Sequence, residues 1–600
     1  MKWWKNAMRA MEKPEENKKL KKWQSKYENA KTKYQDELDN MEIQKKYYLG
    51  DRHVKVNPNK STGYANKLSI NVRNIVYELI ESQIDSSIPM PKVTPIHEED
   101  REQANIIESF LKNEMKLLNF NVLNDLQERL TPMLGGDFVL VEWNNQKGYH
   151  CTIGDLEVTN VHPKQVIPQP GITEIDKMDY IFIRTSQTKD YVKRRFGKDV
   201  SEEEETDYDI REGVTSEDIV TVITAYYKNE KGGIGLFRWC GDVVLDDMED
   251  YQARIIEVCK ECGAPKKGDV CEKCGSKKFE TITDDYENIT LTDESGIPVG
   301  NASVPYYKPN QFPLVIRKNI SMFDKLLGFS DVDVIDDQQD TIKKLGSKIN
   351  EKLLKGGSYV TLPPGLGIET DDEELKIIRP DNPQQKALID VITVQADVAQ
   401  DRVMLETNYT WAKSSLGITD SFQGKYDSSA TSGTAKQYSI NQAAGRLESK
   451  RIMKNQAYAQ LYELMFKFAL AYADQPIPIS SQGKDGQQEF SHFNRMNFLK
   501  VDAAGEYYWN DEFIFDTDPT STLLTNREAM WNQADLKLQS GAFGPLSELE
   551  TNYLYWLEQE RNGYPNASEI KKEIERRMED RKQQQEMMQM GGMNVEMSNM

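Results

Sequence analysis

Apolar residues recur at helical spacing between residues 334 and 355, and this is the clearest periodic stretch of the chain. Its repeating positions are Ile342, Leu345, Ile349 and Leu353. Positions three and four apart share one face of a helix, so these side chains predict an amphipathic helix. At about 1.5 Å per residue the helix reaches about 30 Å.

The stretch after this helix predicts a turn and a second helix that runs back. Gly356-Gly357 ends the first helix, and Tyr359–Leu362 followed by Pro363-Pro364 predicts a strand that enters a turn. A second helix is predicted over 384–415. Its residues predicted to pack on the first helix are Leu388, Val391, Ile392, Val398 and Leu405. Two long arms joined by a small cap suit a part that spans distance rather than one that encloses a substrate.

The rest of the chain predicts an α+β fold class. Residues 1–46 predict a peripheral amphipathic helix. Tyr47-Tyr48-Leu49-Gly50 and Asn57-Pro58-Asn59 predict that this pattern breaks into a loop. Further helices are predicted over 71–87 and 99–130, and a strand over 138–143. Strands and turns are predicted over 151–245, and beyond 475 a polar linker, a strand at 507–515 and three short helices.

Composition and charge argue against several classes of protein. The 600 residues carry a net charge of −21, which argues against a protein that coats nucleic acid tightly. No stretch approaches the run of about 20 apolar residues of a membrane span, and the N-terminus predicts no secretory signal. Four of the six cysteines are clustered, which indicates a metal site in a reducing compartment rather than disulfides.

The clustered cysteines form the most specific chemical motif. Cys259-x-x-Cys262 and Cys271-x-x-Cys274 are separated by eight residues, and a glycine follows each pair. Four thiolates suit a tetrahedral Zn²⁺, and a site closed by four protein ligands is structural rather than catalytic. Unmetallated loops and two disulfides remain the alternatives. Six lysines make the hairpin basic, which suggests a partner or nucleic acid, although a solvated surface is the simpler interpretation. Cys151 and Cys240 are predicted to be packing residues.

Templates for catalysis are missing from the sequence. It has no phosphate-binding P-loop and no His-Glu-x-x-His pair, and its five histidines are scattered. Asp336, Asp337 and Asp340 could hold Mg²⁺ in a nuclease, but carboxylates near a helix start are also favoured by the helix dipole. The acidic run 371–374 predicts a solvated rim or a docking surface. We therefore expect no enzymatic activity.

The order of several short motifs resembles that of tailed-bacteriophage portal proteins. The resemblance covers most of residues 40–475 and extends loosely to the C-terminal helices. It rests on Tyr47-Tyr48-x-Gly50, Asn66-Lys67-Leu68-x-x-Asn71, Ile75-Val76-x-x-Leu79, Pro89-x-Pro91, Val161-His162-Pro163-x-x-Val166-Ile167-Pro168, Gly328-Phe329-Ser330-Asp331-Val332, Asp337-x-Gln339-Asp340 and Ala430-Thr431-Ser432-Gly433-Thr434-Ala435. The four-Cys ribbon departs from the common core of that family, so its role cannot be carried over.

The resemblance implies the portal fold, with an α/β wing, a two-helix stem, a clip, a tunnel loop and a helical crown. It places an N-terminal helical segment at 1–46, the wing at 47–328 with a zinc-ribbon insertion at 255–280, and the first stem helix at 329–357. The clip follows at 358–383, the second stem helix at 384–415 and the tunnel loop at 416–434. The wing returns at 435–520, the crown occupies 521–590, and 591–600 is a disordered tail.

The same resemblance implies a dodecameric ring at one capsid vertex, through which double-stranded DNA is packaged and ejected. Implied partners are the terminase large subunit, the major capsid protein and a head-completion or adaptor protein. The protein would reside in the virion and, during assembly, in the host cytoplasm, and it would hydrolyse nothing.

Lysines along the first arm are candidates for contact with DNA in such a ring. Lys344, Lys348, Lys352 and Lys355 form a stripe offset from the apolar one, and Lys425 lies in the predicted tunnel loop. Each would become a circle of positive charge that meets phosphates weakly at many points. An ordinary solvent-facing side is an equal alternative. A zinc-ribbon nucleic-acid-binding protein and a metal-dependent nuclease remain the alternative functions.

Overall fold

The computed structural model describes residues 14–55, 68–144, 154–200, 219–292, 298–361, 390–418, 433–482, 488–518 and 527–582, apart from short gaps inside these ranges and isolated residues between them. Most of the predicted clip and tunnel loop, with Lys425, lies outside the described residues, as do Cys151 and the predicted tail at 591–600. The described part is a mixture of helices and strands, so the predicted α+β class is confirmed.

Ten α-helices are named among the described residues. They are α1 (Pro14–Leu49), α2 (Ile75–Glu81), α3 (Arg101–Leu117), α4 (Phe120–Leu134), α5 (Lys189–Phe196), α6 (Asp331–Lys355), α7 (Ala399–Leu416), α8 (Gly433–Tyr472), α9 (Arg527–Gln539) and α10 (Leu549–Arg561). None of the described helices is long and apolar enough to cross a membrane.

The strands form one five-stranded sheet, one three-stranded sheet and several two-stranded pairs. They are β1 (Pro91–Pro95), β2 (Gly136–Asn144), β3 (Asp155–Val161), β4 (Val166–Pro168), β5 (Tyr180–Thr188), β6 (Ile219–Lys228), β7 (Ile234–Cys240), β8 (Val243–Met248), β9 (Arg254–Cys259), β10 (Phe279–Asp284), β11 (Tyr286–Thr292), β12 (Pro298–Pro305), β13 (Leu314–Lys318), β14 (Gly357–Thr361), β15 (Asp390–Val394), β16 (Ile477–Gln482), β17 (Gln488–Phe493), β18 (Leu499–Val501), β19 (Tyr507–Trp509) and β20 (Phe513–Thr517). The large sheet has the order β4-β5-β6-β7-β8, and the three-stranded sheet has the order β13-β2-β3.

Helix α1 is a core element, not the peripheral helix that was predicted. Leu20, Trp23 and Tyr27 are buried, and the Trp23 ring meets Phe182 of β5 edge to face at 6.0 Å. Its apolar side chains recur every three or four residues, so one face covers the five-stranded sheet. The predicted break over Tyr47-Tyr48-Leu49-Gly50 is confirmed, because the helix ends at Leu49 and Gly50 follows with φ +76°.

A second core surrounds the C-terminal half of α8. This half is apolar on nearly every side, and Tyr462, Phe466 and Leu470 are fully buried. The helix packs against α3, the β13-β2-β3 sheet and β20. An all-round apolar helix is typical of a central core position. Cys240 is buried in a smaller cluster, which confirms its prediction as a packing residue.

Two predicted helices are shorter than expected. The helix predicted over 99–130 is split into α3 and α4 by Asn119, which adopts a left-handed backbone with φ +53°. An asparagine tolerates that conformation and so permits a sharp turn between the two helices. The helix predicted over 71–87 is limited to α2, whose start is capped by the Asn74 side chain.

The first predicted arm is confirmed as α6. The Ser330 side chain accepts a hydrogen bond from the Val332 amide at 3.0 Å, and Asp331 and Asp333 occupy the first turn, where negative charge is favoured. The helix ends where Gly356 leaves the helical conformation. Its 25 residues span about 38 Å.

The second predicted arm is only partly helical. Helix α7 begins at Ala399, and residues 390–394, predicted as helix, form strand β15 paired with β14. The β-branched run Val391-Ile392-Thr393-Val394 favours an extended chain, and its pairing with Gly357–Thr361 satisfies the backbone groups. Leu405 is buried, as the packing prediction requires, whereas Leu353 is more than half exposed.

Candidate metal centre and helical arms

The four clustered cysteines lie at one end of a two-stranded ribbon. Strand β9 runs into Cys259, and β10 begins at Phe279, which pairs with Cys259. The two strands pack chiefly on each other. Lys266 contacts Glu257 and lies 5.2 Å from the Phe279 ring centroid, which ties the loop back to the strands.

The two Cys-x-x-Cys loops have the same backbone geometry. In the first, Gly263 N–H donates to Cys259 O and Cys259 N–H donates to Ala264 O, both at 2.8 Å. In the second, Gly275, Cys271 and Ser276 repeat both bonds at the same distance. The two glycines have φ +69° and +72°, a conformation that L side chains rarely adopt. Each glycine therefore allows the chain to turn tightly around a sulfur.

The cysteine sulfurs converge to a spacing that fits a metal ion. All four lie within 4.8 Å of one another, with Cys259 Sγ 3.3 Å from Cys274 Sγ and Cys262 Sγ 3.5 Å from Cys271 Sγ. A tetrahedral thiolate site with metal–sulfur bonds of about 2.3 Å has sulfur–sulfur distances of about 3.8 Å. Disulfide sulfurs would lie about 2.05 Å apart. The four thiols thus form a site that can hold a metal ion.

Backbone amides prepare two of the thiols for metal binding. Hydrogen bonds from Glu261 N–H and from neighbouring groups lower the pKa of the Cys259 thiol to about 6. Amides of Cys274 and Lys273 lower the pKa of Cys271 in the same way. Since the thiolate is the form that ligates metals, these amides favour the binding form. Cys259 and Cys271 are also the two buried members of the set.

The arm lysines contact carboxylates at the surface of the paired helices. Lys348 and Lys352 of α6 reach the same Asp401 of α7, at 3.2 Å and 2.5 Å. Lys344 lies 3.6 Å from Asp340 within α6. The Lys355 side chain is not among those that the structure describes. Lys344 and Lys348 remain substantially exposed, so they keep access to solvent.

Sequence reasoning missed Asp401 and an exposed apolar surface on the arms. Asp401 sits in the first turn of α7, four residues after Asp397, whose carbonyl accepts a hydrogen bond from Lys352 at 2.7 Å. The Asp397 contact uses its backbone carbonyl, so the sequence signal was limited to Asp401, an acid in the first turn of the helix. The apolar residues, which we call the arm patch, are between 42% and 78% exposed and comprise Leu353, Leu354, Val403, Met404 and Trp411.

The acids considered for a nuclease site have other contacts. The Tyr47 hydroxyl donates to Asp340 at 2.7 Å, and the Asp336 carboxylate accepts the Asp337 amide at 2.7 Å. Burial raises the pKa of Asp336, which disfavours its charged form. Within the described part of the chain, the four cysteines are the one group with the ligand spacing of a metal site. The acidic run 371–374 is not described.

No protein-family model matches the sequence, and no curated protein matches it. The function proposed for this chain therefore depends on its own residues and their geometry.

Proposed function

We propose that this protein is a phage portal protein, a ring-forming subunit that surrounds a channel for double-stranded DNA. The single observation that carries the proposal is the pair of helical arms, α6 and α7, with apolar side chains left exposed on them. The order of the short sequence motifs, which resembles that of portal proteins, supports the same function.

The arms are fixed firmly to the body at one end. Lys450 of α8 donates to both carboxylate oxygens of the buried Asp331, at 2.7 Å and 2.6 Å, and Asn319 donates to it at 2.8 Å. Tyr409 of α7 donates to Glu78 of α2 at 2.7 Å. A rod held this way at its base suits a channel wall, because it can keep its direction under load.

The arm patch supports assembly into a ring. Exposed apolar groups are candidates for an interaction site, and those of the arm patch lie on two helices that pack on each other. A neighbouring copy of the chain would cover the patch in a closed ring, whose head-to-tail contacts use two different surfaces of each subunit. The absence of a matching catalytic template in the sequence agrees with a structural role.

The test is whether the purified protein forms rings. We expect closed rings with an axial hole in electron micrographs, and a single large mass in solution. The double variant Val403→Asp/Trp411→Asp should remain folded but lose the ring, because charge would be buried in the contact. A matched control, Phe490→Asp, changes an exposed apolar residue of β17 and should leave rings intact. A protein that stays monomeric under all assembly conditions contradicts the proposal.

We also propose that the cysteine site holds Zn²⁺ in a structural role. Four thiolates match the ligand preference of zinc, and a site closed by four protein sulfurs has no position for a substrate. Zinc would fix the two loops relative to each other and so stabilise the end of the ribbon. The ion would cross-link the two Cys-x-x-Cys loops.

A further inference from the structure

A buried polar centre lies between α4, α8 and the β13-β2-β3 sheet. Asp137 of β2 is fully buried there, directly opposite Arg317 of β13 in the strand register. Asn160 of β3 pairs with Val139, two residues along β2, so it shares the same face as Asp137. Gln127 of α4 is also buried against this face. Neither the metal centre nor the arms use these residues.

Several polar atoms of this centre have no hydrogen-bond partner among the described residues. The unpartnered acceptors are both carboxyl oxygens of Asp137 and the amide oxygens of Gln127 and Asn160. The unpartnered donors are Asn160 Nδ2 and the Nε and Nη1 groups of Arg317. Leaving such groups dry costs free energy, whereas waters with several polar neighbours satisfy them. Donors and acceptors are present together, which is the composition that suits water rather than an ion.

The charges around the centre do not balance if Asp137 is ionised. Arg317 Nη2 donates to Glu128 at 2.7 Å, and Lys454 of α8 lies 2.9 Å from Glu128 and 3.4 Å from Asp85. Two cations therefore face two carboxylates before Asp137 is counted. Among the described residues, Tyr458 of α8 is a further titratable group that faces the centre, and burial raises its pKa. A neutral Asp137 leaves these two cations balanced by the two carboxylates, of which Glu128 is buried and Asp85 is partly exposed.

We propose that this centre is a water-filled site in which Asp137 binds a proton that is released as the pH rises. The water and the bound proton both follow from the lack of a direct cation partner for the Asp137 carboxyl. A buried carboxyl of this kind is stabilised in its neutral form. Burial raises the pKa of Asp137 to about 7. The Phe138 amide, the Arg317 charge and the Asn160 and Gln127 amides oppose the shift, and none of these groups reaches hydrogen-bond geometry with the carboxyl. Glu128 differs, since Arg317 and Lys454 outweigh its burial and lower its pKa.

The buried centre lies close to the base of the first arm, so the protonation state of Asp137 can affect the start of α6. The carbonyl of Gly135, two residues before Asp137, accepts the amides of Asn319 and Gly328 at 3.0 Å and 2.8 Å. The Ser330 hydroxyl, which caps α6, donates to Met133 O at 2.7 Å. Ionisation of Asp137 would therefore add an uncompensated charge beneath the start of α6. The inference holds whether or not the protein forms a ring.

Infrared spectroscopy of the full-length protein tests the proton. We expect a carbonyl band of a protonated carboxyl at pH 5 that fades by pH 9, and part of this band should be missing in Asp137→Asn. The control Asp125→Asn changes an exposed carboxylate of α4 and should leave the band unchanged. If Asp137→Asn does not fold, Asn160→Leu serves instead, because loss of its amide should shift the fading to higher pH. A band that neither variant alters overturns the proton assignment.

High-resolution structures of the native protein at pH 5 and pH 9 test the water. We expect ordered water between the Asp137 carboxyl and the Arg317 guanidinium at both pH values. Direct contact of these two groups, with no water in the centre, would overturn the site.

Discussion

At the scale of the residue, the cysteine ligands allow a direct test of the metal. We expect about one zinc ion per chain by elemental analysis, and none in Cys259→Ser/Cys274→Ser, because two thiolates bind zinc too weakly. Since the ribbon strands pack chiefly on each other, the rest of the fold should persist. The control Cys240→Ala removes a buried thiol of another cluster and should leave the metal content unchanged. Zinc that survives the double change would show that the ligands are assigned wrongly.

A second residue-scale prediction concerns Glu114 of α3. This side chain is buried, both its oxygens lack a hydrogen-bond partner among the described residues, and burial raises its pKa to about 8. The folded state thus binds a proton over a range in which the unfolded chain has released it. Stability should fall as pH rises from about 4.5 to about 8 and then level off.

The variant Glu114→Gln cannot ionise, so it should escape this loss. At about 1.4 kcal/mol per pKa unit, we expect it to be more stable than the native chain by about 2–4 kcal/mol at pH 8 and nearly equal at pH 4. Urea unfolding at the two pH values measures the difference. Glu102→Gln, an exposed change in the same helix, is the control. An equal difference at both pH values would contradict the prediction.

At the scale of the element, the two arms are joined by the pairs that Asp401 makes with Lys348 and Lys352. The hydrogen bond from Lys352 is the main cause that lowers the pKa of the Asp401 carboxyl, so the charged form of Asp401 is favoured. Because these side chains are partly exposed, the two pairs together are worth only about 0.5–1 kcal/mol. We expect Asp401→Ala to accelerate hydrogen exchange of the α7 amides about 2–5-fold.

The control for this element is an ion pair inside one helix. Lys112 and Glu108 of α3 lie 2.6 Å apart, and Lys112→Ala should leave exchange in α7 unchanged. Unaltered exchange in Asp401→Ala would mean that apolar packing alone holds α7 against α6.

Elements with strong local signals could be predicted from the sequence, and those that depend on distant contacts could not. Helix α6 has a clear apolar stripe, a capping Ser330 and a glycine end, so its bounds were close to the prediction. Strand β15 was missed because residues 362–389 separate it from its partner β14 along the chain, so its pairing leaves no local signal. The cluster of four cysteines was evident from spacing alone, whereas Asp137 gave no signal, since only the fold places it opposite Arg317 without contact.

At the scale of the whole molecule, net charge would govern how the proposed ring meets DNA. The chain has 97 acidic and 76 basic residues, a difference of −21. Asp401 and Asp340 contact three of the four arm lysines whose stripe was predicted to face DNA. A channel of this kind should repel a duplex on average and offer only weak, repeated contacts, which favours sliding over retention.

The salt dependence of DNA binding separates the portal function from a nucleic-acid-binding ribbon. A protein that binds DNA tightly through Z phosphate contacts loses affinity with a slope of about −0.9Z in log K against log salt. We expect binding of linear duplex DNA to be weak at physiological salt, and Lys273→Glu/Lys277→Glu/Lys278→Glu in the ribbon to change it little. Matched changes on the arm, Lys344→Glu/Lys348→Glu, should reduce DNA packaging in an assembled particle while rings still form. If the isolated chain binds DNA tightly and the ribbon variant abolishes this binding, recognition of nucleic acid by the ribbon is favoured instead. Tight binding of this kind requires several lysines that no carboxylate neutralises, because each phosphate contact releases counterions.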